Sequence, residues 1–367
     1  MDFNLSDLQR MLLDSAERYI GDHYSLEHRR SLRDSADGID HAAWQTFAEL
    51  GWLSILVPEE LGGLGGSMAD VAVLAGALGN RCVREPFTSS AVLSCTLLAG
   101  AGETQGAVLE SLVAGEARIT LAHDEPGERY DYRSPRAVTL AEAGGTLALS
   151  GQKMMVLDAP STTHFIVSAQ GADGLALVLV AADSAGVSRT DYALYDDSRA
   201  ADVAFDRVAV SGENILASGA AAEALLGLAL DRARIALAAQ SVGAMEAELE
   251  ICSAYLKERQ QFGQAIGKFQ ALQHIMADMF VAAHQARSML YFALSQLDAQ
   301  AAERERAVAL ARVHIAEAAQ LVSRQSIQLH GGYGVTDEYE VSHHYRRQLI
   351  IEKLYGDLAY SFSRAAA

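Results

Sequence analysis

Cysteine is scarce and scattered. The 367 residues hold three, Cys82, Cys95 and Cys252. No CxxC spacing exists, which argues against a zinc site or a disulfide framework and predicts three buried, inert thiols. Basic residues are in deficit: 29 Lys and Arg against 47 Asp and Glu give a formal net charge of −18. A nucleic-acid surface needs clustered Lys and Arg, so that class is excluded, while a local basic pocket for an anionic ligand is not. No uncharged apolar run reaches the ~18–20 residues of a membrane span. The opening MDFNLSDLQRMLLDSAERY carries acids early and lacks a signal-peptide core, which predicts a cytoplasmic protein. Internal repeats and low-complexity tracts are also absent.

What is present is an ordinary globular composition, 50 % hydrophobic and 21 % charged, in a chain long enough for two or three structural units. Residues 1–117 read as helical. Ser6 followed by Gln9 matches a capping box ahead of Leu8, Met11 and Leu12. HAAWQTFAELGWLSILVPEELGGLGGS reads as a helix, a stop at Gly51 and a glycine-rich loop. Residues 118–216 change character. RAVTLAEAGGTLALSG has two apolar stretches around Gly144 and Gly145, as a hairpin would. THFIVSAQ, GLALVLVAA and ADVAFDRVAV are further strand-like runs, which together predict a small β-barrel or sandwich. Residues 217–367 return to helical spacing. Leu226, Leu230, Ala233 and Leu237 mark one face, and two more long alanine-rich stretches predict a bundle. The expected fold is mainly α with a central β domain: N-terminal helical domain 1–117, central β domain 118–216, C-terminal helical bundle 217–367.

Four strings then stand out: LGWLSILVPEELGGLGGS, ADVAFDRVAVSGENIL, RQQFGQAIGKFQALQHIMADM beginning at Arg259, and QLHGGYGVTDEYEVSHHYRR. Each resembles a signature of the acyl-CoA dehydrogenase family, and they occur in that family's order along essentially the whole chain. The resemblance implies an N-terminal helical domain, a small β-barrel and a C-terminal four-helix bundle. It implies FAD as cofactor, an acyl-CoA substrate and electron-transferring flavoprotein as acceptor. Arg259 offers a planar, permanently charged fork suited to a pyrophosphate. Phe262, followed by Gly263, is expected to end the helix and let the backbone approach. Phe269, Gln270, Gln328, Gly331 and Gly332 complete the cofactor set, with Gln270 expected more than a helical turn along. In the family this set reaches into a neighbouring subunit's flavin site. Asp231 and Arg234 match an Asp-x-x-Arg beside the substrate thioester, with a structural ion pair as the equal alternative. His343 and His344 are adjacent and point different ways on a helix, so they read as core or solvated residues and no metal site is expected.

The family pattern fails in two places. The family's base is a glutamate that takes the acyl α-proton while a hydride leaves the β-carbon for the flavin. One customary position for it is Gly356, in YGD where the family has YEG; the other is Ala233. Neither carries an acid, and Asp357 is the only weak candidate for a displaced base. In the β segment, QKMMVLDAP replaces a strand whose tryptophan and threonine serve the flavin ring, placing Met155 and Leu157 there. HDEPGERYD keeps Glu125-Pro126 of the family's TEP turn. Groups for the chain's own flavin ring are lost, and groups that reach a neighbour's flavin are kept. That is the pattern of a specialised partner in an α2β2 heterotetramer, as in certain bacterial enzymes acting on steroid side-chain CoA esters. The tail also resembles small subunits of the pimeloyl-CoA dehydrogenase type. The alternatives are a self-sufficient homotetramer with a displaced base, another flavin enzyme on this fold, or a non-catalytic protein.

Overall fold

The computed structural model describes residues 4–102, 105–127, 130, 132–143 and 145–366. The chain forms two compact units, Met1–Arg30 with Met68–Val83 and Arg234–Ala367, and Ser31–Ser67 with Arg84–Ala233. Helices in chain order are α1 (Asp7–His23), α2 (Leu26–Ser31), α3 (His41–Glu49), α4 (Met68–Asn80), α5 (Cys95–Gly100), α6 (Gly106–Val113), α7 (Gly219–Glu258), α8 (Gln270–Ser295), α9 (Ala301–His330), α10 (Glu340–Lys353) and α11 (Leu358–Ala366). The helical reading at the start of the chain holds in detail. Ser6 Oγ accepts from the Gln9 backbone N–H and the Gln9 side chain accepts from the Ser6 N–H, the predicted capping box. Gly51, at φ +76°, ends the α3 segment where expected.

In the first unit α9 packs against α8, α10 and α11, and α1 against α4. The α4–α7 contact has no room for side chains. A Cβ on Gly243 would lie 1.9 Å from the Gly76 carbonyl oxygen, and one on Gly79 would lie 2.1 Å from that of Gln240. The predicted apolar face of α7, whose residues up to Ala233 belong to the second unit, is buried at Leu226, Leu230, Ala233 and Leu237.

The second unit is built on strands β1 (Ile119–Ala122), β2 (Thr139–Ala143), β3 (Thr146–Leu157), β4 (His164–Gly171), β5 (Gly174–Ala181), β6 (Val187–Ala193), β7 (Arg199–Val210) and β8 (Ile215–Ser218). They form one mixed sheet in the order β6-β7-β3-β2-β4-β5-β8, with β1 parallel to β4. Its core gathers Val138, Leu149, Phe165, Val167, Val178, Val203 and Phe205. The predicted hairpin is β2–β3, with Gly145 at φ +86°; Gly144 lies outside the described residues. PFTSSAVLS, apolar in sequence, is a wholly buried π-helical segment at Phe87–Ser94 leading into α5. All three cysteines are buried, and none is in a disulfide among the described residues. Among the described residues no helix is long and apolar enough to cross a membrane.

Candidate functional site

The first constellation lies where α7 and α9 end. α7 stops at Glu258, and Arg259 leads into a tight hairpin, β9 (Gln260–Gln261) and β10 (Gln264–Ala265). The two residues between the strands, Phe262 and Gly263, have φ of +53° and +79°. Positive φ at both positions is the mark of a type I′ turn. Phe262 therefore does not end the helix, as expected from sequence, but sits at a hairpin tip. A non-glycine residue in the left-handed region costs roughly 1–2 kcal/mol, and this one holds a phenyl ring 89 % exposed. Phe269 stands edge-on to it, with centroids 6.1 Å apart, and precedes α8. Gln270 is the first residue of α8 rather than a point further along α7.

Arg259 and Gln270 are exposed, and neither side chain makes a hydrogen bond or ion pair among the described residues. The same holds for Gln328, near the end of α9. Gly331 and Gly332 follow, Gly331 at φ +58°, and nothing lies within 4 Å of where a Cβ would stand on either. The two ends meet through the Tyr255 ring, whose centroid is 4.3 Å from that of His330. Exposed, unspent guanidinium and amide donors with bare backbone beside them suit a dinucleotide's pyrophosphate and adenosine.

The second constellation is the turn after α10, where a base is expected. Tyr355 has φ +56° and Gly356 φ +121°. A Cβ on Gly356 would lie 2.5 Å from Tyr360 Cδ1. Two arginines fix the turn. Arg312, buried, directs Nη2 at the carbonyls of Ile351, Leu354 and Gly356 at 3.1, 3.1 and 3.2 Å. Arg234 Nε donates to the Tyr355 carbonyl at 2.8 Å, and its guanidinium lies 5.4 Å from the Tyr360 ring centroid. Asp357 is the N-cap of α11: its Oδ1 accepts from the Tyr360 N–H at 2.8 Å. Glu352, also buried, accepts from the Leu358 N–H at 2.7 Å and pairs with Lys353. Both nearby carboxylates serve the turn itself. Ala233 and Asp231 are buried on α7.

The third constellation went unseen in the sequence. Lys153, on β3, is 0 % exposed. Its Nζ donates to Glu125 Oε1 at 2.6 Å, to the His123 carbonyl at 3.0 Å and to Ser168 Oγ at 3.0 Å. Glu125 also accepts from the backbone N–H groups of Arg136, Ala137 and Val138 at 2.6, 2.7 and 3.2 Å. Burial alone would raise Glu125; the Lys153 ammonium and these N–H groups outweigh it and hold the carboxyl below its ordinary value. Burial brings Lys153 down to about 8 against the pull of Glu125. Neighbouring Asp124 is pushed up to about 6 by burial, with Lys153 opposing. Just beyond, Met155 takes φ +48° where the β3–β7 register slips, its N–H bonded to Asp202 Oδ1 at 3.1 Å. Leu157 pairs across to Ala200. Neither side chain brings a hydrogen-bonding group.

His343 and His344 do have separate surroundings. His343 faces Arg29 and the Asp337 carbonyl, and His344 Nδ1 lies 3.2 Å from Cys82 Sγ. Both are buried, and burial depresses both, His343 to about 4. A cavity of about 620 Å³ among α1, α4, α7 and α8 contains none of the predicted site residues.

With this geometry in place, the comparisons decide the family. The domain family described as "Acyl-CoA dehydrogenase, N-terminal domain" matches residues 6–116, and "Acyl-CoA dehydrogenase, C-terminal domain" matches residues 224–361. The chain belongs to the acyl-CoA dehydrogenase family. Its members are FAD-dependent oxidoreductases. One relative, the acyl-CoA dehydrogenase IpdE2 of Mycolicibacterium smegmatis, is 28 % identical over 344 residues, covering 94 % of this chain and 93 % of that protein. Among solved structures, a variant of the Tcur3481-Tcur3483 steroid ACAD is 29 % identical at a TM-score of 0.88, covering 98 % of this chain and 96 % of the other. The ChsE4-ChsE5 complex from Mycobacterium tuberculosis is 26 % identical at a TM-score of 0.90, covering 100 % and 98 %. The mainly α fold with a central β domain is the family's.

Proposed function

We propose that this chain is the partner subunit of a heteromeric acyl-CoA dehydrogenase, giving half of a shared FAD site while the other subunit type supplies the catalytic glutamate. The observation that carries this reading is the backbone at Gly356. Its φ of +121° and the Tyr360 ring 2.5 Å from a would-be Cβ leave no place for a glutamate side chain there. The second customary position is an alanine buried in α7. Asp357, the displaced-base candidate, is committed to capping α11.

Arg259 would hold the pyrophosphate as a charged fork, Gln270 and Gln328 the adenosine end, and Phe262, Phe269, Gly331 and Gly332 the surface against it. FAD, when bound, accepts the hydride from the acyl β-carbon. Arg234 is assigned to the turn rather than to substrate, since its Nε is spent on the Tyr355 carbonyl. Two similar structures are a named two-protein complex and a steroid enzyme with two named chains, which supports an α2β2 assembly and an acyl-CoA thioester substrate. The functional division is 1–117, 118–216 and 217–367, with the last part facing the partner's flavin and electron-transferring flavoprotein as acceptor.

The test is co-expression with a second acyl-CoA dehydrogenase chain from the same organism, one that carries the catalytic glutamate. The two should co-purify with flavin and turn over an acyl-CoA, while this chain alone should hold flavin substoichiometrically and show no useful turnover. A homo-oligomer with one tight FAD per chain and full activity refutes the proposal.

A further inference from the structure

Helix α7 buries a carboxyl group that the flavin-site reading does not use. Glu248 is 0 % exposed. Oε2 accepts from Ser323 Oγ of α9 at 3.0 Å, and Oε1 has no partner among the described residues. The groups facing it come from every element packed around it: Ser323 and Ser326 on α9, His344 on α10, Cys82 just after α4, and Cys252 one turn along α7. None is a permanent cation. His344 is driven toward its neutral form by its own burial and by Arg29 and Arg81, with Glu248 and Glu340 pulling the other way. An ionised carboxylate in such surroundings is strongly disfavoured, because serine hydroxyls alone do not replace the water it gave up.

Glu248, Cys252, Tyr255 and Arg259 stand at i, i+4, i+7 and i+11, one line down one face of the helix. The same face that buries the acid thus runs through Tyr255, stacked on His330, toward the end of α7 and the arginine beyond it. We propose that Glu248 is a proton-operated latch: neutral, it lets α7 lie dry against α9 and α10; ionised, it draws water into that interface and loosens the end of α7. Burial pushes its carboxyl up to about 8 from an ordinary 4.5. The folded state then keeps a proton that the unfolded state has lost across that interval. Stability therefore falls as pH rises from 4.5 to 8 and levels off above. The ratio of folded to unfolded protein changes by up to about tenfold per pH unit there.

The latch itself stands apart from the flavin-site reading; only its effect on Arg259 rests on that reading. The experiment compares the wild-type chain with Glu248→Gln, a neutral near-isostere. Thermal midpoints are followed by circular dichroism, and amide exchange over residues 250–258 is measured, from about pH 5 to about pH 9. The wild-type midpoint should fall with pH and the variant's should fall less, so that the variant is the more stable at the alkaline end. Exchange at the end of α7 should accelerate with pH in the wild type beyond the intrinsic base dependence, and not in Glu248→Gln. Equal pH slopes in the two proteins overturn the latch. Should Glu248→Gln fail to fold, infrared spectroscopy of the wild type decides instead: a protonated-carboxyl C=O band must be present at neutral pH and vanish on alkalinisation, and its absence at neutral pH overturns the proposal. Flavin content of the co-expressed complex against pH is the separate arm. A latch that behaves as expected with no change in flavin retention leaves Glu248 standing and refutes its effect on Arg259.

Discussion

Replacing Lys153 by Met removes one charge from a pair that no water reaches. The ammonium has three acceptors, Glu125 Oε1, the His123 carbonyl and Ser168 Oγ, all within 3.0 Å. Breaking a buried ion pair from one side costs about 3–5 kcal/mol, most of it from stranding the surviving charge. Here the survivors are not equivalent. Glu125 without Lys153 still has three backbone N–H donors, within 3.2 Å, so Lys153→Met should fall near the lower end, about 3 kcal/mol. Lys153 without a carboxylate keeps only a carbonyl and a hydroxyl, so Glu125→Gln should cost more, about 4 kcal/mol, or drive the lysine to its neutral form. The double variant should cost less than the sum by about 2–3 kcal/mol, because each change relieves the other's orphan. Urea unfolding of all four proteins, followed by a probe in the sheet-bearing unit, gives the cycle. The pH dependence carries a sign. Glu125 is held below its ordinary value, so its share of stability is present above 4.5 and is lost on acidification through the lower folded value. Single variants each costing less than about 1 kcal/mol, or strict additivity, would refute the reasoning that Lys153 and Glu125 form one coupled buried pair.

Three further outcomes follow from the other two constellations. Gly356→Glu should not create a self-sufficient enzyme: it should lower the unfolding midpoint, at a cost of about 2 kcal/mol or more from strain and the Tyr360 contact, with no turnover by the isolated chain. Asp357→Ala should cost about 1 kcal/mol in thermal denaturation, the value of an N-cap, and leave the activity of the co-expressed complex unchanged. Arg259→Ala should leave the chain folded by circular dichroism yet weaken FAD binding by the complex by about 10–150-fold, the equivalent of about 1.5–3 kcal/mol, with activity returning at excess FAD.

Much of this was legible where the signal is local. The Ser6–Gln9 box spans four residues, and the α7 face repeats every three or four, so both could be read directly. The histidine pair was legible because neighbours on a helix diverge. Strand β6, VSRTDYA, was missed because it is largely exposed and polar, without an apolar alternation. The hairpin at Phe262 was missed because strands of two residues carry no periodicity. Lys153 and Glu125 lie 28 residues apart, so nothing in either string announces the other. Glu248 sits between Glu246 and Glu250 in a run that looks like a solvated helix edge, and only packing separates the buried acid from the other two.

The turn at Gly356 also has a historical meaning. A catalytic residue lost by a single substitution can return by a single substitution, provided the backbone beneath it has not moved. Here the backbone would act as a ratchet against such a return. Tyr355 and Gly356 both occupy positive φ, the Tyr360 ring fills the space a side chain would need, and Arg312 binds three carbonyls of the turn in that shape. Reverting would require the glycine to change, the ring to shrink and the arginine's grip to loosen together, with each first step destabilising by itself. On the heteromeric reading proposed above, a chain with this turn is held away from independence by its backbone and not by one missing side chain.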